Sequence, residues 1–297
     1  MSLIAFLGSV ELGLVYAFVA IGVYFSFRVL DFPDLTVDGS LPLGAATSAV
    51  LLLAGVNPWL ATLAAMIAAA LAGLVTALLN VRFKILNLLA SILTMIALFS
   101  VNLRVMGKPN VALITASTVL DPFIAVGSHF GLRDYWTRPI VLAVFVAIAV
   151  ALIARFLASD FGLAMRATGA NARMARAQGI STETHIYVGM ALSNALCGLA
   201  GSLFAQINGF ADVTMGVGTI VVGLAAVIVG ETLIPRRAIL PALIGCVAGS
   251  VIYRICIQFA LSADSIGLQA SDLNLVTALL VAVALILPRL SKAGRAA

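Results

Sequence analysis

The stretch DFGLAMRATGANARMARAQGISTET, residues 160–184, is the one long polar and basic interval with helical spacing between segments apolar enough for a membrane. Ala167, Ala170, Ala172, Ala175 and Ala177 favour a short helix in it, and Gly179 offers that helix a place to stop. Arg166, Arg173 and Arg176 give it positive charge. It reads as a docking surface outside the bilayer, and the orientation of the whole chain follows from where it lies.

Outward from this interval the chain is almost wholly apolar. Of 297 residues 63% are hydrophobic and only 10% charged, against about 25% charged in a soluble domain. The fold class this implies is all-α, a polytopic bundle of membrane-spanning helices forming a single domain over 1–297. The net charge of +5 does not indicate nucleic acid, because the basic residues are spread through short loops between apolar segments. Cys197, Cys246 and Cys256 lie in apolar stretches without metal-ligand spacing and read as small core residues.

Crossing a bilayer takes roughly 20 apolar residues. About nine spans are legible, at 3–27, 40–55, 58–80, 86–106, 138–157, 185–207, 216–233, 238–260 and 272–288, the second of them short. If 160–184 is cytoplasmic, alternation puts the N-terminus outside and the C-terminal tail inside. Twelve of the 17 Lys and Arg residues then fall inside, including Arg28, Arg82, Arg166 and Arg289, while Arg104, Lys108, Arg133, Arg138 and Arg254 fall outside or near the outer side. That excess is the one expected for cytoplasmic loops. No basic residue precedes the first apolar run, so it is expected to stay in place rather than be cleaved.

Two polar interruptions break the pattern. LDFPDLTVDGSLPL, residues 30–43, carries three carboxylates, two prolines and a glycine, which a regular helix is not expected to run through. Asp38-Gly39 can turn, and Ser40 can cap the following helix. Two readings stay open: a cytoplasmic turn between spans, or a partly re-entrant break whose freed backbone lines a cavity. NGFADVTMGV, residues 208–217, is a second interruption and a possible counterpart of the first. Between residues 107 and 137 a short helix lying near the outer surface is expected.

Ionisable groups inside spans are costly and therefore functional candidates. Glu11, Glu231 and Arg254 are of this kind; the alternatives are that the carboxylates reach headgroup water, that Glu231 pairs with Arg236 and Arg237, and that Arg254 extends outward. With Asp34, Thr36, Asp38 and Ser40 of the first break and Asn194, the residues Glu11 and Arg254 make up the candidates for a translocation pathway. Asn102, Asn194 and Gln206 can bond between helices, and Gly198, Gly201, Gly245 and Gly249 allow close packing. No nucleophile elbow and no HExxH occurs, so no enzyme is indicated. No G-x-x-x-x-G-K-[ST] occurs either, so any ATP driving this chain is held by another subunit.

RATGANARMARAQGI, residues 166–180, resembles the cytoplasmic coupling segment of ABC importer permeases of the branched-chain amino acid and ribose type, with a pattern of roughly R-A-x-G-x-N-x-x-x-A-x-x-x-G-I. Arg166, Ala167, Gly169, Asn171, Ala175, Gly179 and Ile180 match it. LDFPDLTVDGS is similar to the G-I-D-L-S-V-G-S segment of the sugar members at Asp34, Leu35, Thr36, Val37 and Ser40. Asp38 is inserted before the glycine and Phe32-Pro33 replaces Gly-Ile, which argues against a sugar. DFPDLTVDGSLPLGAA looks closest to a subgroup proposed for tryptophan or related amino acids. The resemblance implies a permease in the bacterial inner membrane, working by alternating access as a dimer, here permissibly a homodimer. Two cytoplasmic ABC ATPase subunits would hold ATP and Mg2+, this chain no cofactor, and a periplasmic or lipoprotein binding protein would deliver the solute. Met174 and Ile180 would pack into a groove of the ATPase while Arg166, Arg173 and Arg176 set orientation. An ATP-independent carrier or channel is the competing reading.

Overall fold

The computed structural model describes residues 3–114, 116–129, 131, 133–234 and 238–261. The span at 272–288, the tail and Arg236 and Arg237 lie outside the described residues. Among the described residues six helices are long and apolar enough to cross a membrane, and two shorter apolar helices accompany them.

Helix α1, Leu3–Tyr24, runs on without a break into a π-helical turn, Phe25–Val29, which closes with the Leu30 N–H on the Phe25 carbonyl at 3.0 Å. An irregular segment at 30–36 leads into α2, Val37–Leu53. Helix α3, Pro58–Val81, starts where the sequence demands it: Asn57 accepts from the Trp59 N–H at 2.9 Å and Pro58 occupies the first turn. Helix α4, Asn87–Met106, stops at Gly107 with φ 68°. The ribbon strand β1, Asn110–Ala112, and helix α5, Asp121–His129, follow. Next come α6, Asp134–Ala158, then α7, Asp160–Ala170, and α8, Ala172–Ala177, which lead to α9, Thr182–Asn208. Strand β2, Phe210–Asp212, pairs antiparallel with β1 before α10, Thr219–Leu233, and α11, Ile239–Leu261.

Helix α9 is the axis of the bundle, packed on α1, α2 and α3. Its contact with α2 is a parallel ladder in steps of four residues. The Ser40 hydroxyl donates to Asn194, Gly44 lies against the Gly198 backbone, and the Ser202 hydroxyl donates to Ser48. Against α3 it runs antiparallel, with Gly198 on Ala65 and Ala69, the Thr62 hydroxyl sharing a hydrogen bond with that of Ser202, and Gln206 donating to Thr62. Small residues let these backbones approach where no water is available to drive packing. Helix α1 closes on α11 at Gly13 and Val251, and α10 closes on α11 at Gly230 and Gly245, in line with the packing role expected of Gly198 and Gly245. The outward faces of α3 and α6 show apolar stripes at helical spacing, such as Leu60, Leu63, Ile67 and Leu71, fit for lipid contact.

Eight of the nine expected spans thus correspond to helices, with three local corrections. In the first break only 30–36 escapes helical form. Helix α2 begins at Val37 and continues through Pro42, so Asp38 and Gly39 form its first turn and Thr36, rather than Ser40, stands at the N-cap. Interval 160–184 holds two short helices and the first residues of α9 rather than one helix, because Asn171 leaves the helical region with φ −160°. Cys197 and Cys246 are buried as expected, whereas Cys256 is exposed on α11.

Candidate functional site

The two polar interruptions meet. Asp38, in the first turn of α2, accepts the backbone N–H of Ile220 at 2.7 Å through Oδ1 and that of Gly218 at 3.1 Å through Oδ2. One carboxylate therefore sits at the positive ends of two helices, α2 and α10, and satisfies donors that the start of α10 leaves open. Gly216 packs on the Asp38 carbonyl and the Pro42 ring, where a β-carbon would collide. Pro42 has no N–H for that carbonyl, so the packing of the second break falls at the one point where α2 lacks a helical bond.

Behind this junction lies a sealed polar network. Asp34 is fully buried; its Oδ1 accepts the Thr36 N–H at 2.9 Å and its Oδ2 accepts the Asn194 amide at 2.8 Å. Asn194 in turn accepts the Ser40 hydroxyl at 2.6 Å and donates to the Met190 carbonyl at 3.0 Å. Thr36 shares a 2.7 Å hydrogen bond with Thr76 of α3, and Asn102 of α4 donates to the Gly39 carbonyl at 3.1 Å. Asn194 lies near the midpoint of α9, so the irregular backbone at 30–36 and the starts of the two shorter helices gather around the middle of the bundle. Such backbone is tolerated at membrane depth where protein or water satisfies it; here Asp34 accepts the Thr36 N–H, Asp38 accepts those of Gly218 and Ile220, and Asn102 of α4 donates to the Gly39 carbonyl, while Thr76 of α3 and Asn194 of α9 hold the side chains around them.

Asp34, Thr36, Asp38, Ser40 and Asn194 are therefore brought together, while Glu11 and Arg254 lie apart from them. Glu11, 9% exposed, has Oε1 without a hydrogen bond among the described residues. Arg254 stacks its guanidinium 4.0 Å from the Tyr16 ring rather than extending clear of the bundle. Glu231 pairs with Arg28 at 2.7 Å, linking α10 to the π-turn. Thr76 and Ser193, which donates to the Gly22 carbonyl, are members of this polar core that the reading of the sequence misses. The steps of four in Ser40, Gly44, Ser48 and in Asn194, Gly198, Ser202, Gln206 are the signal that would have found the interface holding them.

At the end of the bundle bearing Arg28, α7 and α8 form an angular pair. The Asn171 side chain caps α8, accepting from Arg173 and Met174 N–H groups at 3.1 and 3.0 Å. Helix α8 ends in a Schellman motif: Ile180 N–H reaches the Ala175 carbonyl and Gly179 N–H the Arg176 carbonyl, both at 3.0 Å, with Gly179 at φ 82°. Ala175 is buried, Ile180 half-buried and Met174 63% exposed. Arg166 and Ala167 belong to α7, and Gly169 bears on the Val29 carbonyl so closely that a β-carbon would collide with it. Within the motif, then, Asn171 and Gly179 cap α8, Ala175 packs its inner side, and Gly169 seats α7 on the π-turn.

On the opposite end, the β1–β2 ribbon carries Asp212. Slight burial opposes its ionisation, but bonds from the Thr214 hydroxyl and N–H and from Asn110 outweigh that and hold its carboxyl below the usual range.

This architecture has counterparts among known proteins. A chain of PsaBC from Streptococcus pneumoniae in complex with Fab matches it at TM-score 0.52 and 12% identity, over 94% of this chain and 89% of that one, a likeness of fold. A tyrosine transport system permease protein of Clostridioides difficile is 39% identical over 90% of this chain and 86% of its own length. An uncharacterised protein of Rickettsia prowazekii is 32% identical over 93% of this chain and 95% of its own. The family described as branched-chain amino acid transport system / permease component matches residues 5–288, nearly all of the helical bundle and both of its breaks, and the chain belongs to that family.

Proposed function

We propose that this permease is the membrane path of an ATP-driven ABC importer for an amino acid, with an aromatic amino acid favoured by the 39% identity to a tyrosine transport system permease protein. The observation that carries the reading is the α7–α8 pair: a capped, exposed helical knob seated through Gly169 on the π-turn that leads into the mid-bundle break. A partner ATPase, binding ATP and Mg2+, would grip Met174 and Ile180 and be oriented by Arg173 and Arg176. In this orientation 160–184 and the C-terminus are cytoplasmic and the N-terminus is outside, in a bacterial inner membrane. A binding protein delivers the amino acid from outside, and two copies of the chain enclose the path. Asp38 and the break behind it stand where that path would narrow, and alternating access would be a change in how α2 and α10 meet. The test is reconstitution with the ATPase subunit and binding protein in proteoliposomes. Uptake of L-tyrosine or L-tryptophan that requires ATP is expected, and equal uptake without ATP would establish a carrier and overturn the reading.

A further inference from the structure

A cavity of about 480 Å3 lies between the π-turn, α6, α7 and the start of α11, within the roughly 300–1,000 Å3 of small-molecule sites. Tyr24 and Phe27 supply aromatic wall, Arg28 and Arg166 guanidinium groups, and Asp31 a carboxylate. Arg28 is already engaged by Glu231 at 2.7 Å. The exposed side chains of Arg166 and Asp31, in contrast, make no hydrogen bond or ion pair among the described residues, although both line the same space. Asp31 is held there by a backbone with φ 53°, a conformation a non-glycine residue adopts only at a cost.

A cation and an anion without partners among the described residues, with two aromatic side chains around the same cavity, do not complement a simple ion. A lone anion would engage Arg166 alone, and a lone cation Asp31 alone. They do complement a zwitterion carrying a ring. Its carboxylate meets Arg166, in the charge-assisted geometry guanidinium groups favour, and its ammonium meets Asp31 or the face of Tyr24 or Phe27. Its ring lies along the apolar wall of Leu157, Ile239 and Ala242.

The position gives such a ligand something to do. Gly169 and Val29, which touch at the seat of α7 on the π-turn, are both on the cavity wall. A molecule bridging Arg166 on α7 to Asp31 beyond the π-turn spans that contact and braces it. We infer that this cavity is a second amino-acid site, separate from the mid-bundle junction, that binds an aromatic α-amino acid on the α7 side of the membrane and thereby slows import as the product accumulates. The inference rests on the proposed import of amino acids and on the proposed orientation.

Binding of labelled L-tyrosine and L-tryptophan to the full chain in phosphatidylcholine nanodiscs tests the site. Saturable binding is expected, with tyramine and 3-(4-hydroxyphenyl)propanoate, each lacking one charge, competing at least about tenfold more weakly, as loss of a hydrogen bond to a charged group implies. Asp31→Asn should weaken amino-acid binding by about tenfold while the propanoate is little affected. Absence of saturable binding, or binding indifferent to Asp31→Asn and lost in Asp38→Asn, would overturn the assignment. So would displacement by phosphatidylglycerol with no effect of amino acids, which would make the cavity a lipid headgroup site. In proteoliposomes holding the complete importer, L-tyrosine loaded on the α7 side should slow uptake several-fold, and less so in Asp31→Asn. ATP-driven uptake unaffected by loading would sink this inference and leave the transport reading standing, whereas absence of any amino-acid uptake would sink the transport reading.

Discussion

Replacing Asp38 by Asn should loosen the start of α10 before any other part of the protein. In the native chain both carboxylate oxygens accept backbone N–H groups, from Ile220 at 2.7 Å and Gly218 at 3.1 Å. An amide keeps one acceptor and turns an NH2 toward the second N–H, so one charge-assisted bond becomes neutral and the other is lost. Hydrogen bonds to charged groups are worth roughly 1.5–3 kcal/mol and neutral ones about 1. Loss of the charge also removes its attraction to two helix N-termini, about 0.3–1 kcal/mol at each. Because Asp38 is half-buried rather than sealed, the lower end of the two bond losses applies, and the helix-end attraction, carried largely by the same N–H groups, is not added to it: about 2 kcal/mol, or about 30-fold in a local opening equilibrium at 1.4 kcal/mol per tenfold. Amide hydrogen exchange by mass spectrometry, on the chain in nanodiscs, reads this directly. Peptides covering 215–224 should exchange about 30-fold faster while those from the centre of α3 stay at the native rate. Exchange in 215–224 within twofold of native would refute the bridging role of Asp38, and equal acceleration in α3 would show that the bond supports global stability instead.

Gly198→Val should lower the thermal unfolding midpoint of the purified chain, since a β-carbon there collides with Ala69 and crowds the Ala65 carbonyl; overpacking of this kind costs about 1–3 kcal/mol, and an unchanged melt would remove α9 from its central role. Asn194→Leu takes the amide donor from the buried Asp34 and the acceptor from Ser40, a loss of about 2 kcal/mol or more, to be seen as a lower midpoint than that of Asn102→Leu. Ala175→Asp buries a charge inside α8 and should leave membrane insertion intact while abolishing ATP-coupled uptake; normal uptake with normal ATPase stimulation would break the assignment of α7 and α8 to coupling. The Asp212 carboxyl is held below its ordinary range, so its contribution to the β1–β2 ribbon is present at neutral pH and lost as pH falls through the lowered value. Proteolysis within 107–118 should therefore rise in acid for the native chain and be independent of pH over that range in Asp212→Asn.

Much of this can be read in the chain, because bilayers impose a length and a polarity that short-range sequence must obey. Apolar runs of about 20 residues locate eight helices, and the resemblance at 166–180 points to the family without any geometry. The helix stops at Gly107 and Gly209 and the cap at Asn57 are likewise local chemistry. What cannot be read is which distant groups share a bond. Helix α2 passes through Pro42 because its first turn is held from outside itself, by Asn194 on Ser40 and by α10 on Asp38. A breaker's local penalty is about 3 kcal/mol, and no short sequence window contains the partners that offset it.

The sequence by itself determined that this is a membrane bundle, where most of its long helices lie, and which segment resembles the coupling segment of a permease family, since each follows from hydropathy or a contiguous motif. Only the tertiary structure decided that the two breaks are one junction. Asp38 and Ile220 are 182 residues apart, and their bond exists because small residues at four-residue steps let α2, α3 and α9 close to backbone contact around them. The same packing seats Gly169 on the π-turn, sets Arg166 and Asp31 around one cavity, and leaves Glu11 and Arg254 apart from the polar core.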